Sequence, residues 1–131
     1  MLGNFALSAG YYDAYYNKAL QVKALLRAAF DEAFARYDAL LTPTAPTPAM
    51  RLGESLDDPL AMYLGDVHTV AINLAGLPAL AQPCGLASGL PVGLQWIGAP
   101  FAESTLFRVG LAWEQEGVWQ RRMPPERGNA S

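Results

Sequence analysis

Three prolines govern what this chain can fold into. Pro43, Pro46 and Pro48 fall within the run LLTPTAPTPA, residues 40–49. Each locks its φ angle and lacks a backbone N–H, so the run is barred from a long helix and from a central strand. It predicts a rigid extended connection, too short for a flexible interdomain linker.

The segment before the prolines reads as a helix and then a strand. From Asp13 to Tyr37 the residues Ala19, Val22, Leu26, Phe30, Ala33 and Tyr37 recur at steps of three and four. That spacing lays one apolar stripe along a helix. Lys18, Lys23, Arg27, Asp31, Glu32 and Arg36 fall off its centre, toward solvent. The pairs Tyr11-Tyr12 and Tyr15-Tyr16 thicken the helix start, and packing explains them better than catalysis does. Asp38 to Thr42 (DALLT) reads as a short buried strand. Ahead of the helix, Met1 to Ala9 is apolar and uncapped. It reads either as the tail of an element that begins earlier or as a frayed terminus, with Gly10 as its stop.

Behind the prolines, Asp57-Asp58-Pro59 is a helix opening, with an acidic cap ahead of a proline at the first helical position. A short helix follows through Met62 and Tyr63, and a second begins within Thr69 to Leu74. Ala79 to Pro83 and Val92 to Ile97 are strand-like, with Gly85, Ser88, Gly89 and Pro91 as turn material between them. Pro100-Phe101 leads into a last helix whose Leu106, Val109, Gly110 and Trp113 share a face. Ala102 gives it a weak cap and Gly117 a stop. Residues 120–131 form a polar tail. The order of elements predicts an α/β arrangement.

Composition sharpens this. Apolar residues make up 52% and charged residues 16%, against about 25% charge in typical soluble domains. Disorder is excluded, and part of the apolar surface is expected to lie against another piece of protein. Net charge is −3, with nine scattered basic residues, which argues against a nucleic-acid face. The weakly polar stretch from Thr69 to Ala81 is broken by Asn73, Gly76 and Pro78 and is too short to span a bilayer. With no signal peptide, a cytoplasmic location is the expectation.

The chemistry visible in the residues is incomplete. His68 is the single histidine and Cys84 the single cysteine. No serine sits in a motif that exposes it as a nucleophile, so His68 reads as a helix-face residue. Cys84 has no neighbouring base or cations to activate it and reads as a small packed thiol. A multi-cysteine metal site is excluded.

Five stretches change the question: ALSAGYYDAYY (6–16), LLTPTAPTPA (40–49), DDPLAMYLGD (57–66), NLAGLPALAQPCG (73–85) and GLPVGLQWIG (89–98). Together they resemble the C-terminal part of amidase signature enzymes. Within that family, ALSAGYYDAYY with DDPLAMYLGD resembles the A-subunit branch of the tRNA-dependent amidotransferases. The resemblance makes residues 1–119 a partial amidase domain, the C-terminal portion of a mixed β-sheet flanked by helices.

The resemblance also implies a chemistry. A serine nucleophile, a second serine in a cis peptide and a lysine base hydrolyse the glutamine carboxamide. Ammonia then passes to a partner protein, which amidates Glu-tRNA(Gln) or Asp-tRNA(Asn). The catalytic residues belong to a Gly/Ser-rich signature outside this chain, so no catalytic residue is expected in it and the chain alone should be inert. The arginine that grips the substrate carboxylate is expected just upstream of Met1. The one residue carried over is Asp66, which closes DDPLAMYLGD and matches the carboxylate that receives the α-ammonium of glutamine. Implied partners are the amidotransferase subunits B and C, glutamine, and tRNA through the complex only. ATP and Mg belong to the partner protein, and this chain is expected to bind no cofactor. A homo-oligomer would be another way to cover the apolar surface. A stand-alone amidase and a non-enzymatic remnant are the alternative readings.

Overall fold

The computed structural model describes residues 12–50 and 63–116, with side chains from residue 16 onward. The expected features at Met1–Gly10, Asp57–Pro59, Gly117 and 120–131 lie outside these residues. Within them the chain forms α1 (Tyr12–Phe34), β1 (Ala39–Pro43), α2 (Val67–Ala75), β2 (Ala79–Ala87), β3 (Leu90–Gly98) and α3 (Glu103–Gln115). Residues 63–65 make a helical turn ahead of α2.

The apolar stripe of α1 forms, but only its C-terminal half is covered. Leu26, Phe30, Ala33 and Phe34 are half-buried, whereas Val22 and everything from Tyr16 to Leu25 is exposed. Phe34 joins the stripe by stacking on Phe30 at 6.4 Å between ring centres. The helix ends three residues before the expected Tyr37. There the Arg36 N–H donates to Ala33 at 3.0 Å, a tightened last turn that swings the chain toward β1.

The sheet is wholly antiparallel, in the order β1-β3-β2. β1 is therefore an edge strand, as the proline run requires. It is not buried as expected: its residues alternate between half-buried and exposed, because one flank has no neighbour among the described strands. Both hairpin strands run longer than their punctuation suggests. Only Ser88-Gly89 remains as the turn, both with positive φ (52° and 80°). That is the two-residue geometry whose twist matches the strands. Gly85 does not end β2; the register slips between Pro83 and Gly85, leaving Cys84 as the extra residue of a bulge. Pro91 is accommodated because β1 pairs with β3 only from Leu94 onward.

Side chains alternate across a strand, so β3 serves two layers. Ile97, 2% exposed, packs with Ile72, Ala75 and Leu77, backed by Phe30, Phe34 and Leu40. This is the face under α1 and α2. On the other face Leu94 and Leu106 are buried and α3 lies against β2 and β3. The close approach of α3 needs glycine twice. A Cβ on Gly98 would stand 3.1 Å from Leu106, and one on Gly110 would stand 2.5 Å from Leu80. Gly76 ends α2 in the left-handed conformation (φ 67°), its N–H returning to Asn73 and Ile72. The Arg27 guanidinium also donates to the Ala75 carbonyl at 3.1 Å, tying α1 to the end of α2.

A second groove, of about 320 Å³, runs between α1 and α2 and is lined by Leu26, Tyr63, Leu64, Val67, Val70 and Leu74, with Ala71. Leu25 stands beside this helix pair 72% exposed and Val67 51% exposed. Part of the apolar surplus of the sequence thus lies on the outer side of this helix pair, and part on α3, where Phe107 and Leu111 are exposed. We expect the isolated chain to enhance the fluorescence of an apolar dye. The double substitution Leu25→Glu, Val67→Glu should reduce that signal while the melting temperature holds, and an unchanged signal would place the exposed patch elsewhere.

Candidate functional site

A cleft of about 770 Å³ opens on the α1/α2 face of the sheet beyond the start of α2. Three segments far apart in sequence build it. The proline run supplies one wall from Thr44 to Met50, Gly65 and Asp66 supply the opposite corner, and Ala81 to Pro83 with Pro91 to Gly93 supply the floor. The prolines hold the wall extended, and the Thr44 N–H continues the β1–β3 ladder by donating to Gly93 at 3.1 Å.

Asp66 is positioned by its backbone. It occupies the cap position of α2, where its carbonyl accepts the N–H of Thr69 (3.0 Å) and Val70 (3.1 Å) and the Thr69 hydroxyl (3.1 Å). Its own N–H donates to Tyr63 at 3.3 Å. The carboxylate makes no capping hydrogen bond and no ion pair among the described residues. It is exposed on the cleft rim, free to meet a cation.

Two buried glutamines that the sequence reading passed over fix this geometry. Gln95, 3% exposed, donates from Nε2 to Pro43 at 3.1 Å and to His68 at 3.0 Å. One amide thus joins the end of β1, the middle of β3 and the first turn of α2, and it sets Asp66 against the proline wall. Gln82, 8% exposed, accepts the Trp96 indole N–H at 3.0 Å and donates to Gly110 at 3.1 Å and to Glu114 at 3.4 Å. Trp113 packs edge-on against Trp96 at 6.2 Å and donates to the Pro83 carbonyl at 3.1 Å. These bonds lock α3 beneath the cleft floor. The signal was present in the sequence: each glutamine is a lone polar residue within an apolar strand, and a buried amide requires partners.

The structure separates the other candidates from the cleft. His68 lies on α2, half-buried, and it is its backbone carbonyl that is engaged. Cys84 sits half-buried in the hairpin bulge, its thiol directed at the Val92 carbonyl at 3.5 Å. Among the described residues no group of three His, Cys, Asp or Glu side chains gathers as a metal site, and no helix is long and apolar enough to cross a membrane.

The chain belongs to the amidase family, whose model matches residues 1–107. More particularly, it is similar to the A subunit of glutamyl-tRNA(Gln) amidotransferase. It is 61% identical to that protein of Moorella thermoacetica over 124 residues, covering 95% of this chain and 26% of the relative. The Lachnospira eligens protein is 62% identical over 88% of this chain and 24% of its own length. The crystal structure of the same protein from Thermotoga maritima superposes with a TM-score of 0.72 at 49% identity, over 82% of this chain and 24% of that one. The chain thus spans about a quarter of the length of the relatives it matches. The fold is that of the C-terminal portion of the amidase fold.

Proposed function

We propose that this chain supplies the C-terminal part of the glutamine-hydrolysing component of an amidotransferase, working in the cytoplasm with B and C partner proteins. In this reading the serine nucleophile, the second serine and the lysine base come from the part of that component that this chain does not span. The chain alone hydrolyses nothing. ATP and magnesium are used by the partner, and tRNA meets this chain only through the complex. The apolar groove between α1 and α2 packs against the catalytic part; without it, a homo-oligomer is the alternative cover.

The observation that carries the reading is Asp66, a carboxylate unengaged among the described residues, on the rim of the cleft. A substrate α-ammonium leaving water needs an acceptor of opposite charge, and a charge-assisted bond contributes about 1.5–3 kcal/mol. The test places this chain in the T. maritima relative, in exchange for its matching quarter, and assembles it with that protein's partners. Asp66→Asn keeps the shape and removes the charge. The glutamine KM should rise roughly ten- to a hundred-fold, while amidation fed by free ammonia is spared. An unchanged glutamine KM would remove Asp66 from the substrate site.

A further inference from the structure

We propose that the hydroxyl of Thr44 is a second acceptor for the ammonium group that Asp66 neutralises; this rests on the reading of Asp66 given above. Three observations support it. Thr44 Oγ1 is the one buried side-chain oxygen or nitrogen among the described residues that has no hydrogen-bond partner. Buried hydroxyls are rarely left so, and an exception calls for a ligand or another polar partner. Thr44 and Asp66 line the same cleft. Finally, Gly93 faces the hydroxyl: a Cβ there would stand 3.0 Å from Thr44 Oγ1 and 3.5 Å from Thr44 Cβ. Glycine at 93 is therefore what lets the hydroxyl pack this closely against β3.

The donor arithmetic fits. An ammonium group carries three N–H donors, whereas one carboxylate edge takes one or two of them. A donor that loses its water as the ammonium enters the cleft needs a further acceptor. The backbone already fixes Thr44, because its N–H is bound to Gly93. Little side-chain freedom is therefore lost when the hydroxyl engages a ligand.

The experiment uses the same assembled chimera and two amides, L-glutamine and glutaramic acid, which keeps the carboxamide and carboxylate but lacks the α-ammonium. Thr44→Val preserves shape and removes the acceptor. The glutamine KM should rise about ten-fold with kcat within two-fold, the glutaramic acid KM should stay unchanged, and Thr44→Ser should restore the glutamine value. An equal rise for both amides would show a merely structural threonine and overturn the proposal. So would an unchanged glutamine KM beside an Asp66→Asn variant that raises it, and in that case the Asp66 reading stands. A rise with Thr44→Val and none with Asp66→Asn sinks the carboxylate clamp and with it the proposal of a second acceptor beside that clamp. A chimera that hydrolyses no glutamine with the unaltered segment overturns both.

Discussion

Gln95→Leu should destabilise the fold by about 1–3 kcal/mol, the largest effect expected of any single polar residue here. Leucine approximates the volume but offers no donor. The carbonyls of Pro43 and His68 would then lose the bonds they accept at 3.1 and 3.0 Å. The Pro43 carbonyl keeps the Thr42 hydroxyl at 3.2 Å, so each lost bond counts for about 0.5–1.5 kcal/mol. Urea unfolding of the variant should show a lower midpoint with an unchanged slope. Because the same amide holds the first turn of α2 against the end of β1, loosening it also displaces Asp66. In the assembled chimera the glutamine KM should therefore rise together with the loss of stability. A midpoint shift worth less than about 0.5 kcal/mol would mean that packing alone holds α2 in place and that the glutamine is incidental.

The second large effect is expected at Gly110. A methyl added there would meet Leu80 Cδ2 at 2.5 Å and Gln82 Oε1 at 3.0 Å. Leu80 can rotate away, since the clash involves the end of its side chain. Gln82 cannot, because Trp96, Gly110 and Glu114 hold it from three sides. Gly110→Ala should therefore push α3 off the sheet and cost about 1–3 kcal/mol, even though alanine is the better helix former by about 1 kcal/mol. Thermal unfolding should fall by several degrees, and the near-ultraviolet circular dichroism of Trp96 and Trp113 should weaken as their edge contact opens. If the variant melted higher than the parent, helix propensity would have won and the packing argument at Gly110 would be wrong.

Much of this was readable in the residues. The three-and-four spacing from Ala19 to Ala33 placed α1, because helical periodicity is a property of neighbours along the chain. The prolines at 43, 46 and 48 excluded a central strand, and β1 is an edge strand. The five motif stretches led to the family. The errors have one source. Gly85 and Pro91 look like turn residues when read locally, but pairing along β3 outweighs that preference, and a bulge at Cys84 absorbs the misfit. DALLT looked buried because its apolar run says nothing about which flank has a neighbour.

Sequence alone determined most of the described elements, the exclusion of a central strand at the prolines and the family, and it proposed Asp66, since each depends on local spacing or on motif. The tertiary structure decided the cleft. Its wall, rim and floor come from segments around 44–50, 65–66, 81–83 and 91–93, and they are fixed by Gln95 bonds that span 52 and 27 residues. It also decided that Thr44 holds a buried, unpartnered hydroxyl beside a bare Gly93. No periodicity encodes contacts of that range, because they exist only once the hydrophobic faces of α1, α2 and the sheet have closed on one another.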